Sequence, residues 1–205
     1  PLAVKRIMES KTFDNGTICA SEQSVICNED MAQAVQTEME RQGACFLSDE
    51  QRKKLGSFIL RANGTMNPAI VGKSAQTIAD LAGIDIPAGT KVLVAKEDGI
   101  GRGHPYSNEK LAPILAFYTA GSYKEVCELC CDILHYEGAG HTFSMHTKDQ
   151  NMVDYFAKRI PASRIVVNTS STLGGIGAST NLAPALTLGC GAIGGSSTSD
   201  NVGPL

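Results

Sequence analysis

The sequence predicts an α/β domain: three layers, with helices covering a largely parallel sheet. Segments of helical period alternate with short apolar runs of strand length along most of the chain. Of 205 residues, 42% are apolar and 19% charged, enough to build a core and too little charge for a chain that stays unfolded. One domain over residues 1–205 is the expectation at this length.

The elements follow in order. Asn28, Glu29 and Asp30 open a helix, with acids at its positive end. Met31, Val35 and Met39 then recur at i, i+4 and i+8, and Gly43 stops it. Ser48 opens the next helix, Gln51 completes a capping box, and Leu55, Phe58 and Ile59 form its apolar face. Residues 74–82 read as a short helix ended by Gly83, and residues 123–136 and 151–159 as further helices. Residues 91–95, 114–118, 141–146 and 164–168 read as strands. Beyond Asn168, Ser, Thr and Gly dominate through Ser199 without a clean period, the texture of functional loop inside a compact domain.

Composition also excludes partners. A net charge of −3 gives no electrostatic case for nucleic acid or an anionic membrane surface. No apolar run approaches the roughly 20 residues that span a bilayer, and the mixed start, Pro1 to Arg6, shows no signal peptide. Seven scattered cysteines, an odd number, point to reduced thiols in a cytoplasmic setting. The non-Met start and the ending Gly203-Pro204-Leu205 lead us to expect a piece of a longer protein.

Cys19 is the first chemical candidate. It follows the turn signal Asp14-Asn15-Gly16, and a thiol there can be partly exposed among backbone N–H groups, the setting of a thiolate nucleophile with an oxyanion site. The other reading is a small buried hydrophobe. Cys127, Cys130, Cys131 and His135 suggest a metal site, but Cys127, Cys130, Cys131 and Leu134 fall at i, i+3, i+4, i+7 of one helix face. We read them as core and expect no metal. Of the glycine-rich stretches 174–179 and 189–195, the first follows the 164–168 strand but has no helix start after it and no Lys-Ser/Thr closure, so a phosphate loop is not expected. Close backbone approach to a substrate or a neighbouring subunit fits them better. His104, His141 and His146 each invite pairing with Cys19, against a structural histidine as the alternative.

Four segments carry a family resemblance. Ser10-Lys11-Thr12-Phe13-Asp14-Asn15-Gly16-Thr17-Ile18-Cys19-Ala20-Ser21-Glu22-Gln23, Asn67-Pro68-Ala69-Ile70-Val71-Gly72-Lys73, Glu109-Lys110-Leu111-Ala112-Pro113-Ile114-Leu115, and residues 168–205 resemble, in that order, the coenzyme A-acylating aldehyde dehydrogenases. The resemblance implies the catalytic domain of that fold, with Cys19 as nucleophile. It also implies a preceding NAD-binding domain and a completing C-terminal segment, neither matched in this chain. Glu109 stands where the family holds the nicotinamide ribose, within a Glu-x-Phe-Gly-Pro pattern from which Leu111 and Ala112 depart. Leu111 occupies the position of a nicotinamide-touching Phe. Gly138-Ala139-Gly140-His141-Thr142 is similar to a Gly-His-Thr segment, which implies a place for His141 near substrate or coenzyme A.

The implied reaction oxidises a short aldehyde with NAD and coenzyme A to an acyl-coenzyme A, in a homo-oligomer of the cytoplasm or a bacterial microcompartment. Nucleic acid and membrane are not among its partners. The isolated chain, lacking most of the nucleotide site, is expected to be inactive. Three other readings stand beside this one: a hydrolytic aldehyde dehydrogenase, a thiol or metal-binding module on residues 127–135, and a cysteine hydrolase using Cys19 and His141.

Overall fold

The computed structural model describes residues 1–185. Its centre is a parallel sheet of four strands, β1 (Ser24–Asn28), β2 (Ala44–Phe46), β3 (Val92–Lys96) and β4 (Ile114–Ala120), in the order β1-β4-β3-β2. A second, two-stranded parallel sheet pairs β5 (Thr142–Met145) with β6 (Arg164–Val167). Seven α-helices accompany them among the described residues: α1 (Leu2–Thr12), α2 (Glu29–Arg41), α3 (Asp49–Ile59), α4 (Ala75–Ala82), α5 (Tyr123–Tyr136), α6 (Gln150–Ala157) and α7 (Ser171–Gly175).

The middle strands are apolar on both faces because helices cover both. Leu93, Ala95, Ile114, Ala116 and Tyr118 point to one side, against Leu55 and Ile59 of α3, Ala75, Ile78 and Ala79 of α4, and Ile133 of α5. Val92, Val94, Leu115 and Phe117 point to the other, against Val4, Ile7 and Met8 of α1 and Met39 of α2. The expected three layers are therefore present. A third cluster joins Cys127 and Cys130 of α5 to Met145 of β5, Phe156 of α6 and Ile160. The cysteine face of α5 is thus core.

Capping chemistry set several helix boundaries. The Ser48 hydroxyl accepts from the Gln51 backbone N–H while the Gln51 side chain accepts from the Ser48 N–H. Asn28 ends β1 and caps α2, and Ser74 caps α4, which Gly83 closes in the left-handed conformation. Three features differ from the sequence reading. Met31 is 58% exposed, so only the C-terminal part of the predicted α2 stripe is core. Helix α1, β1 and β2 were not anticipated. A short helix, α7, does begin after β6, because the Ser170 hydroxyl accepts from the Leu173 N–H and supplies a cap. The second glycine-rich stretch, 189–195, lies outside the described residues.

These placements set a ranking for urea denaturation of the protein. Leu55→Ala is expected to cost about 2–5 kcal/mol by opening a cavity, Ser48→Ala about 1 kcal/mol by removing a cap, and Met31→Ala no more than about 0.5 kcal/mol.

Candidate active site

The connection from α1 to β1 is built around a rare backbone. Asp14, Asn15 and Gly16 take φ values of 47°, 50° and 71°, three successive left-handed residues. Asp and Asn tolerate that region better than other side chains, and Gly without strain. The turn is fastened on all sides. Thr17 gives both its N–H (3.1 Å) and its hydroxyl (2.6 Å) to the Asp14 carbonyl, and the Asn15 amide donates to the Gly72 carbonyl at 3.1 Å. Further along, the Ser21 N–H reaches the Ile18 carbonyl at 2.8 Å and its hydroxyl the Gly16 carbonyl at 3.2 Å. Cys19 lies inside this closed loop and is partly exposed.

Strand pairing brings the other segments to it. Because β1 and β4 are parallel neighbours, with Ser24 opposite Ala116, the loops entering them run side by side. The Lys110 N–H donates to the Gln23 side-chain oxygen at 3.0 Å, and the Gly72 N–H to the Leu111 carbonyl at 3.0 Å. Any Cβ at Gly16 would lie 2.7 Å from the Ala112 carbonyl oxygen, so only glycine admits this approach. From α7, the Ser171 N–H donates to Glu22 at 3.2 Å, and Gly175 packs against Ala20. Residues 10–23, 67–73, 109–115 and the start of 168–185 thus form one assembly.

Glu109 and Leu111 sit on the loop entering β4. The Glu109 N–H donates to Glu137 at 3.1 Å, and burial together with the Glu137 charge raises the Glu109 carboxyl above the usual range. Opposing this are the positive charges of Lys11 and Lys110 and that of His141 when protonated, all close enough to act on it. Leu111 is itself left-handed, with φ of 43°. His141 opens β5. Its Nδ1 accepts the Thr142 backbone N–H at 2.8 Å, which leaves the proton of the neutral ring on Nε2. That Nε2 is buried without a hydrogen-bond partner among the described residues. Burial lowers the pKa of the ring, so the neutral, Nε2-protonated form is favoured at neutral pH.

The remaining candidates go elsewhere. His104 Nδ1 bonds Glu97 at 2.9 Å, and Glu97 also receives Arg52 at 3.1 Å. Glu97, Asp98 and His104 are the group of possible metal ligands that converges among the described residues, but the guanidinium on Glu97 occupies the carboxylate a cation would need. Neither ring nitrogen of His146, beyond the end of β5, has a partner among the described residues, although both are buried. Burial pushes the Cys127 thiol up to about 11 and that of Cys130 higher still, the opposite of an activated thiolate.

Sequence reading missed Lys11, Glu22 and Lys110. Lys11 and Lys110 are wholly shielded from solvent, and Glu22 is half-buried, with its Oε2 shielded. Lys110 Nζ donates to the carbonyls of Tyr106 (2.5 Å) and Asn108 (2.7 Å). A signal existed for Lys11: Val4, Ile7, Met8 and Lys11 stand at i, i+3, i+4, i+7, a charge on an apolar helical stripe.

No family model matches the chain. Individual proteins do. The bifunctional aldehyde-alcohol dehydrogenase of Escherichia coli is 42% identical over 207 residues, covering 98% of this chain and 23% of that protein. A crystal structure of a probable aldehyde dehydrogenase from Listeria monocytogenes superposes with a TM-score of 0.94 at 62% identity, over 100% of this chain and 45% of that one. An acetylating aldehyde dehydrogenase from Geobacillus thermoglucosidasius gives 0.93 at 49% identity, over 98% and 44%. A propionaldehyde dehydrogenase from Rhodopseudomonas palustris, solved with bound coenzyme A and an acylated cysteine, gives 0.84 at 25% identity, over 98% and 44%. The chain spans less than half the length of each of these proteins. Along essentially all of its residues, the chain is similar to a part of the acetylating and acylating aldehyde dehydrogenases.

Proposed function

We propose that the protein carrying this chain oxidises a short-chain aldehyde, with NAD and coenzyme A, to an acyl-coenzyme A, and that Cys19 is the nucleophile. The single observation that carries this reading is the closed left-handed loop around Cys19, onto which the segments shared with the acylating enzymes converge. A thiol held there attacks the aldehyde carbon and forms a thiohemiacetal, whose oxyanion the backbone N–H groups of the loop are suited to receive. When bound, NAD supplies the hydride acceptor that turns this adduct into a thioester. Glu109 fits the task of holding its ribose: a half-buried carboxylate acceptor whose loop is fixed by Glu137 and Gln23. Leu111 would line the same site.

The thioester then passes its acyl group to the coenzyme A thiol. His141 is suited to orient rather than to deprotonate. Its Nδ1 is engaged by Thr142, so Nε2 offers a proton and can donate to the thioester carbonyl or to coenzyme A. Water in place of coenzyme A would give a hydrolytic aldehyde dehydrogenase. The names of the relatives, acetylating and coenzyme A-bound, favour the thiol. A homo-oligomer in the cytoplasm or a microcompartment remains part of this proposal. No helix among the described residues is long and apolar enough to cross a membrane.

In the full-length protein, NADH formation from acetaldehyde is expected to require coenzyme A and to fall at least about a thousandfold in Cys19→Ala. Equal NADH formation without coenzyme A would move the protein to the hydrolytic group. Glu109→Gln should raise KM for NAD with a smaller effect on kcat. His141→Ala should slow thiolysis of the preformed thioester about ten- to a hundredfold, the scale of one hydrogen bond to developing charge. Single-turnover acyl transfer to coenzyme A measures it.

A further inference from the structure

The chemistry above makes no use of Lys11 and Glu22, yet Lys11 is buried and Glu22 half-buried beside the Cys19 loop. Lys11 stands on the last turn of α1 with no solvent exposure, and its Nζ donates to the Ser21 hydroxyl at 3.5 Å. That hydroxyl in turn donates to the Gly16 carbonyl, so the lysine holds the group that closes residues 16–21 around Cys19. Glu22, the next residue, accepts the Ser171 N–H at 3.2 Å through Oε1, while Oε2 is buried without a hydrogen-bond partner among the described residues. Ser171 opens α7, and the far end of that helix packs on Ala20. One side chain therefore grips the loop from α1 and the other ties it to α7.

A charge on Lys11 is costly in such a setting, and the carboxylates of Glu22 and Glu109 attract it. Burial brings Lys11 down to about 7 against the attraction of Glu22 and Glu109, and Glu22 up to about 7 against Ser10, the backbone N–H groups of Glu22 and Ser171 and, least, the attraction of Lys11. The other charges acting on Lys11 and Lys110 come from the loop before β4, Glu109 and Lys110 themselves, and from Glu137 and Glu97. His141 and Arg164 lie further along the same network, through Glu109.

We propose that Lys11 and Glu22 are positioning residues for Cys19: together they hold residues 16–21 in the shape that presents the thiol, through Ser21 on one side and Ser171 on the other. This rests on the reading of Cys19 as the nucleophile. Neither side chain needs to touch substrate.

The test uses the full-length enzyme, with kcat normalised to the Cys19 thiol titrated by iodoacetamide and located by peptide mass spectrometry. Lys11→Met alone removes a charge that attracts Glu22, so the informative variant is Lys11→Met/Glu22→Gln, which removes both charges. It should lower kcat per titrated Cys19 and the Cys19 alkylation rate at least tenfold, with KM for NAD within twofold of wild type. Ser21→Ala keeps both charges and removes only the hydroxyl link. It should move kcat and alkylation in the same direction, by severalfold. Wild-type kcat and alkylation in the double variant, a loss confined to its melting temperature, or wild-type behaviour of Ser21→Ala would each overturn the proposal. Full activity in Cys19→Ala would instead remove the nucleophile reading on which it stands.

Discussion

The contact between Gly16 and the Ala112 carbonyl is the constraint on which the rest of the site depends. A chain that leaves α1 and must enter β1 beside β4 has to turn sharply, and it does so through three left-handed residues. Only glycine can stand at the third, because a methyl group there would sit 2.7 Å from a backbone oxygen of the loop entering β4. Once that approach is made, the geometry propagates. Asn15 reaches Gly72, Gly72 reaches Leu111, and Lys110 reaches Gln23. The cysteine is thus placed by close backbone approach together with short side-chain bonds from Asn15, Gln23 and Ser21. Such rigidity suits a nucleophile that must meet several partners in turn.

Much of this was legible in the sequence wherever the physics is local. The capping box at Ser48 and Gln51, the left-handed stop at Gly83 and the Asp-Asn-Gly turn all act within four residues, and each appears in the fold as written in the sequence. The apolar runs at β3 and β4 were legible because burial on both faces leaves no room for polar alternation. Cys127 and Cys130 of α5 also read correctly as core, with Cys131 partly buried at its edge, since their spacing is that of a helix face.

What the sequence hid depends on tertiary context. Helix α1 was obscured by Lys11, a charge standing where the apolar stripe Val4, Ile7, Met8 calls for another hydrophobe. Strand β1 has polar ends, Ser24 and Asn28, and gains its place by pairing with β4 rather than from its own composition. Met31 fits the helical period of α2 but is exposed on its first turn. Glu22 carries no local mark at all: its place shows only in the fold, where it accepts the Ser171 N–H from far along the chain. The positions of Glu109 and His141 were legible through family resemblance. That they come close enough to influence each other's protonation depends on the fold.

The central claim, that this loop presents Cys19 to carry an acyl group, can be tested in the reverse direction without turnover. Full-length protein incubated with acetyl-coenzyme A in the absence of NADH should acquire one acetyl group, and peptide mass spectrometry should find it on the peptide containing Cys19, reversible by free coenzyme A. An acetyl group on another cysteine, or none on Cys19 in protein that still makes acetyl-coenzyme A from acetaldehyde, would contradict the account.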